Sequence, residues 1–341
     1  MINNRKKLRI HVLYGGNSAE RPGSILSGKT IESTLRRAGY ENVTRYDITS
    51  DSVFSLVSNK PDLAFLTFHG GMGEDGTLQA LLELLRVPYT SSGVSASAIS
   101  ADKVLFNRFV TSLGYNAPDQ FLISSINKLE EKDWEYPLII KPVKQGCSYG
   151  VFLVQNLDEL KERANFSLQF DGRIVVEKYI EGREFSVGIF EYPKTKHPII
   201  LPISETKLSK GILDFETKYP GGEHLYKTII PAELSVEERE QLEDMCKNVF
   251  TKLDCRGYVR MDLRLDVKGQ FYFLENNTIP GILSPTESDI PKMLNVMGIS
   301  LEKFVDMIVE STLIHHYQKK NVNVPSEKEM VKYLGLKLAE D

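Results

Sequence analysis

The feature that most limits how this chain can fold is a change of pattern near residue 101. Before it, strand-like and helix-like runs alternate. LRIHVLYGG (8–16) leads into SILSGKTIESTLRRAGY (24–40), and the strand-like NVTRYDI (42–48) and DLAFLTFHGG (62–71) precede TLQALLELLRV (77–87). Strands alternating with helices predict a parallel sheet covered on both faces, with ligands bound beyond the carboxyl ends of its strands. GGNSAE and HGGMGEDG fall at those ends. After the helix-like SASAISADKVLFNRFVTSLG (95–114), the runs YPLIIKPV, YGVFLV, RIVVEKYI and FSVGIF are short and β-branched, with few helices between them. That is an antiparallel, α+β pattern. Helices are expected over Ser235–Leu253 and 299–317, with a charged tail beyond. No internal repeat or low-complexity tract occurs.

A chain of 341 residues predicts two or three domains. Its net charge of −4 supplies no general basic field, so nucleic acid is not an expected partner. An anionic ligand must be held by locally placed Lys and Arg. The N-terminal apolar run, only about seven residues long, is too short for a secretion signal or a membrane span. Three cysteines form no disulfide framework, which fits a reducing cytoplasm.

Chemistry concentrates in GYVRMDLRLDVKGQFYFLENN (257–277), which reads as a hairpin turning at DVKG, with Gly269 free to take positive φ. A two-residue loop sets Asp262 opposite Glu275 and Arg260 opposite Asn277, and a four-residue loop keeps the same faces. Cross-strand Cβ atoms lie roughly 5 Å apart, and two carboxylates that close repel unless a cation lies between them. Oxygen ligands from Asp, Glu and Asn suit Mg²⁺, which takes its remaining ligands from water and phosphate. The alternative is a solvated face on which each acid pairs with a nearby Arg or Lys.

The strand-end GGNSAE is not a G-x-G-x-x-G fingerprint. GMGEDG (71–76) has that glycine spacing but no acid about 20 positions beyond it. GSILSGKT (23–30), which fits the Walker A spacing, lies in a helix-like run rather than in a loop ahead of a helix. IIKPVKQGCSYGVFLV (139–154) instead places Lys141 on a strand ahead of a glycine-bounded loop, 146–150. Such a loop can offer backbone N–H groups to a polyphosphate. An ordinary turn reads equally well until its partners are counted.

Counted together, GGNSAER, HGGMGEDG, SADK, KPVKQGCSYG, VVEKYIEGRE, ETKY, RMD and LENNTIPG resemble, in collinear order over about residues 8–315, the D-alanine–D-alanine ligases of the ATP-grasp superfamily. The resemblance implies an ATP-grasp fold with an N-terminal Rossmann-like domain over 1–100. Central and C-terminal ATP-grasp subdomains over 101–185 and 186–315 would follow, then the tail 316–341. It implies a cytoplasmic homodimer that joins small amino acids with ATP and two Mg²⁺ ions, for which Mn²⁺ can substitute. Asp262, Glu275 and Asn277 would hold the metal. Lys103 and Lys141 would bind the phosphates beneath the loop at Cys147 and Ser148. Glu177 would accept from the adenine amine, the backbone at Lys178, Tyr179 and Ile180 would read the adenine edge with Leu274 nearby, and Glu184 would hold the ribose. Lys218 and Tyr219 would cover the γ-phosphate and first substrate. Glu20 would take the ammonium of that substrate and His69 would lie beside its carboxylate. Arg260 and the Gly281 N–H would hold the oxyanion. Taken singly, Glu20 reads as well as an acid favoured by a helix N-terminus, and Lys103, Glu177 and Glu184 as surface charges.

Three places depart from the family pattern. Cys147 stands where Ser is usual, and a thiol is the weaker hydrogen-bond partner. Leu213, Asp214 and Phe215 precede ETKY where tyrosines are common. PGILSPTESDIPKM (280–293) replaces PG-x-T-S-x-S-x-x-P and is two residues longer before Pro291. Ser288, or failing it Thr286, matches the serine that holds the second amino acid's carboxylate. The nearby Glu287 and Asp289 allow a different acceptor. A nucleotide-binding protein without ligase activity is the remaining rival, and the complete Arg260, Asp262, Glu275, Asn277 set speaks against it.

Overall fold

A computed structural model of the chain describes residues 2–49, 51–146, 148–195, 197–208, 212, 226–283 and 288–320. Strand β1 (Arg9–Gly15) buries Ile10, Val12 and Leu13, hence both of its faces, as a strand covered on two sides must. It is followed by α1 (Arg21–Arg37), β2 (Asn42–Ile48), the short α2 (Val53–Ser58) and β3 (Leu63–Leu66). The strands form a parallel sheet in the order β2–β1–β3, as the alternating pattern predicts, and Tyr89 extends it by a parallel bridge to Ala64. α3 (Thr77–Leu84) packs beneath it through Leu78 and Leu82.

The segment expected as one helix over 95–114 is two, α4 (Val94–Ala101) and α5 (Lys103–Ser112). The break is a cap. Asp102 is extended (φ −104°, ψ 106°) and its carboxylate accepts from the N–H groups of Val104 and Leu105, both at 3.1 Å. SADK is therefore a helix-start signal, and it makes Lys103 the first residue of α5. Next come β4 (Gln120–Ile123), β5 (Leu138–Pro142), β6 (Phe152–Val154), α6 (Leu157–Asp171) and β7 (Ile174–Lys178). Their strands form an antiparallel sheet, β4–β7–β5–β6, with Leu160 and Ala164 of α6 packed against Ile140, Val154 and Val176.

The third sheet is built from β8 (Gly182–Phe190), β9 (Ile199–Ile200), β10 (Ser204–Leu208), β11 (Tyr226–Ile229), β12 (Tyr258–Asp266) and β13 (Phe271–Asn277). Its order is β11–β10–β8–β12–β13, with β9 beside β8. Between β11 and β12, α7 (Val236–Lys252) opens on a full capping box of Ser235 and Glu238 and buries Leu242, Cys246 and Val249 against the sheet. α8 (Asp289–Val296) and α9 (Leu301–Lys320) then return to the first sheet. Phe304 of α9 meets Phe190 and Tyr258 edge-on, and Asp306 takes bonds from Arg5, Lys6 and Tyr40. Gly70, Gly71, Glu74 and Asp75 after β3, residues 144–146 after β5 and residues 275–277 at the end of β13 line one cavity. No helix among the described residues is long and apolar enough to cross a membrane.

Candidate active site

The hairpin reaches its expected pairing by an unexpected route. Its loop has three residues, Val267, Lys268 and Gly269, rather than two or four. Asp266 N–H donates to Gln270 O, and Gly269 takes φ 79°. A loop longer by one residue moves every side chain of the second strand to the other face. Alone it would set Asp262 opposite Leu274. A β-bulge restores the phase: Leu263 pairs with Phe273, yet Asp262 pairs with Glu275 and Arg260 with Asn277, so Leu274 is the extra residue.

The four side chains consequently meet. Arg260 donates from Nε and Nη2 to the two oxygens of Asp262, at 2.8 and 2.7 Å. Asn277 Nδ2 lies 3.2 Å from Asp262 Oδ2 and 3.3 Å from Glu275 Oε1. Asp262 is only 8% exposed, so this is not a solvated face. Ser186, directly opposite Asp262 on β8, donates to Oδ1 at 2.7 Å, a partner that sequence reading missed. Asn276 points the other way and donates to Ser100 Oγ at 2.8 Å.

These donors fit a divalent cation. Two carboxylates and an amide converge within a few ångströms, and turning the Asn277 amide over presents its oxygen to the same spot. No cluster of three His, Cys, Asp or Glu side chains suited to a metal occurs among the described residues. A cation held here would therefore need further ligands from water or phosphate, which suits Mg²⁺ better than a protein-caged metal.

Beside this face lies a second group. Glu20 is the N-cap residue of α1 but makes no capping bond; its Oε1 accepts from Gly146 N–H, at 3.0 Å, in the glycine loop. Gly70, at φ 70°, leaves room for it, since a Cβ there would stand 2.6 Å from that oxygen. His69 lies between Gly23 and Gly281, whose added Cβ atoms would stand 3.3 and 3.4 Å from its ring, and its Nε2 is 2.8 Å from Ser27 Oγ. Burial, helped by the Arg260 charge, pushes His69 down to about 4, so the imidazole is neutral at pH 7. Glu74, which sequence reading did not single out, accepts from Gly70 N–H at 2.9 Å. Burial and the charges of Glu20 and Glu275 push it up to about 8.

The neutral His69 makes an acid-stability prediction. Its folded value lies below the unfolded one, so the unfolded chain binds the extra proton, and stability falls as pH drops from 6.5 toward about 4. The loss amounts to at most about 3 kcal/mol. His69→Asn should flatten that limb of a denaturant-midpoint-versus-pH curve, and an unchanged slope would contradict it.

Lys103 and Lys141 converge from α5 and β5. Lys103 Nζ donates to Gln145 O, and burial lowers its pKa while the Glu275 charge opposes that. Lys141 Nζ is 2.7 Å from Glu177 Oε2, and Glu177 is 2% exposed. Neither Lys103 nor Glu177 is the surface charge that each resembles when read singly. Ser148 holds φ 59° in the glycine loop, an uncommon conformation for a residue with a side chain. Lys178 N–H is already taken by Asp119 O, and Tyr179, followed by Ile180, stacks under Arg264. Arg264 also stands 3.9 Å from Glu184. Gly70, Glu74, Lys103, Gly146, Glu275 and Asn277 line one cavity. Ser288 Oγ accepts from Leu283 N–H at 3.0 Å, and Asp289 opens α8. Cys147, Leu213, Asp214, Phe215, Lys218, Tyr219, Thr286 and Glu287 lie outside the described residues.

Residues 116–310 match the family described as D-ala D-ala ligase C-terminus, and 54–92 match D-ala D-ala ligase N-terminus. The chain belongs to the D-alanine–D-alanine ligase family. A D-alanine–D-alanine ligase from Aquifex aeolicus is 37% identical over 89% of this chain and 100% of its own. A structure of that enzyme from Bacillus anthracis complexed with ATP superposes with a TM-score of 0.75 at 29% identity, covering 92% of this chain and 99% of that one. The VanG D-Ala:D-Ser ligase from Enterococcus faecalis gives 0.73 at 25%, covering 90% and 99%. Membership gives the shared fold, ATP-grasp, its family name.

Proposed function

We propose that this chain is a D-alanine–D-alanine ligase of peptidoglycan precursor synthesis, working in the cytoplasm as a homodimer and forming ADP and phosphate. The observation that carries the reading is the pairing of Arg260 with Asn277 and Asp262 with Glu275 on one half-buried face, with Asp262 itself buried. A carboxylate is a poor acyl donor, so an amide ligase must first make one of its oxygens a leaving group. Phosphoryl transfer from ATP does this, and an amine then displaces phosphate from the acyl phosphate through a tetrahedral oxyanion. Both steps build negative charge at one spot. The site correspondingly collects Arg260, Lys103 and Lys141, with no nucleophile needed.

In this reading Glu20 receives the donor's ammonium and neutral His69 offers a hydrogen bond to its carboxylate. Arg260 and Gly281 N–H hold the oxyanion. Lys103 and Lys141, under the loop at Ser148 and Cys147, anchor phosphates, with Lys218 and Tyr219 closing over them. Glu177, Lys178, Tyr179, Ile180 and Leu274 hold the adenine and Glu184 the ribose. Asp262, Glu275 and Asn277 would hold two Mg²⁺, or Mn²⁺, which when bound neutralise phosphate charge. The working lobes follow 1–100, 101–185 and 186–315 with 316–341 a tail, except that β8 of the third sheet already begins at Gly182 and α9 runs on to Lys320, inside the expected tail.

One observation favours a second acceptor. Ser288 Oγ already accepts a backbone N–H, and the Asp289 charge acts on Arg260, so the acceptor side carries an extra negative charge. A hydroxyl-bearing acceptor tolerates that better than a second bare alkyl amino acid. ADP release measured over D- and L-amino acids, singly and in pairs, tests both readings. D-alanine alone should support turnover. A pair of D-alanine with a hydroxy-amino acid that outruns it would favour the second reading, and no D-amino acid supporting release would refute both.

A further inference from the structure

Gln120 opens β4 directly opposite Glu177 of β7. Lys141 shares their face of the sheet, because Ile139, two residues before it, also pairs with Glu177. Gln120 Nε2 donates to Glu177 Oε1 at 2.5 Å, while Lys141 meets Oε2. Each carboxylate oxygen thus has one donor, and the two donors come from different strands.

We propose that Gln120 is a specificity-determining residue: by fixing the plane of the Glu177 carboxylate, it makes this site select a 6-amino purine over a 6-oxo purine. The proposal rests on the reading that Glu177 faces adenine. An ammonium is a rotating point donor, so Lys141 alone leaves the carboxylate free to turn. The amide of Gln120 is planar and anchored on the neighbouring strand, and a second donor on the second oxygen removes that freedom. Each oxygen keeps lone-pair capacity for one more hydrogen, which an exocyclic amine can supply. A 6-oxo base brings a second acceptor to the same place and leaves a buried carboxylate facing it without a proton between them. Sites built to receive an N–H reject the analogue that lacks it for this reason. Once the carboxylate can rotate, Lys141 is free to turn to the oxo group and the rejection weakens. Gln120 Nε2 also lies 3.5 Å from Lys103 O, at the limit of a hydrogen bond, so the same amide borders the start of the phosphate-side helix.

The test is equilibrium binding of ATP and of inosine triphosphate, with Mg²⁺, to the wild-type chain, Gln120→Met and Glu177→Gln. Methionine keeps the length and packing of Gln120 but donates nothing. The ATP-over-inosine-triphosphate preference should fall at least about tenfold in Gln120→Met. Glu177→Gln should lower it too, since a neutral amide can turn its own N–H toward an oxo group. Gln120→Asn, whose shorter amide is withdrawn from Glu177, should reproduce the loss if the methionine variant folds poorly. A preference unchanged in both Gln120 variants but lost in Glu177→Gln would overturn the proposal. A preference unchanged in Glu177→Gln as well would show that Glu177 does not read the base, overturning the adenine reading and the proposal with it.

Discussion

Glu275→Gln is expected to lower ADP release by about 10²–10³-fold or more, with little loss of folding stability. The amide keeps the shape of the side chain but removes one of the two carboxylates that meet at Asn277. A neutral oxygen is a much weaker ligand for a hard cation. The charge of Glu275 also adds to the crowding that raises Glu74, so removing it relieves repulsion inside the site. Release rates titrated with Mg²⁺, beside a thermal unfolding midpoint, check both halves. Turnover near wild type at moderate Mg²⁺ would contradict the metal role.

Arg260→Ala should damage folding as well as chemistry. Both oxygens of Asp262 take their bonds from Arg260, and Asp262 is 8% exposed. Removing one partner of a buried ion pair costs about 3–5 kcal/mol, because a charge is left without its counter-charge. Loss of an oxyanion donor adds about 10²–10³-fold in turnover. Arg260→Lys restores the charge but not the planar fork, so it should recover part of the stability and little of the turnover. Denaturant unfolding together with ADP release separates the two effects. An alanine variant as stable as the wild type would show that the pair contributes nothing to folding.

The parts of the fold that follow from periodicity were legible in the sequence. The parallel sheet shows in the alternation of β1, α1, β2 and β3, and the hairpin face in RMD and LENN. The hairpin also shows where legibility ends. Its three-residue loop and its bulge at Leu274 cancel, so a simpler two-residue turn predicts the same partners. Only coordinates distinguish them. Asp102 carried a readable cap signal, a helix-start Asp before Lys103, that the longer helical pattern obscured. Ser186 and Gln120 carried no local signal, and Glu74, though inside HGGMGEDG, carried none that set it apart from its neighbours. Each matters because a strand or loop far away in sequence brings it to an acid, as Ser186 is brought to Asp262 across 76 positions. The packing of α9 on the first sheet is of the same kind, since nothing near Asp306 announces Arg5, Lys6 and Tyr40 as partners.

The central claim is that this face activates a carboxylate by phosphoryl transfer. It is tested most directly with D-alanine carrying ¹⁸O at both carboxylate oxygens, ATP and Mg²⁺, by mass analysis of the phosphate released. The account predicts one ¹⁸O in each phosphate formed with the dipeptide, because the oxygen that leaves began in the donor. Phosphate released without label would mean that water, not the carboxylate, receives the phosphoryl group, and the ligase account would fail.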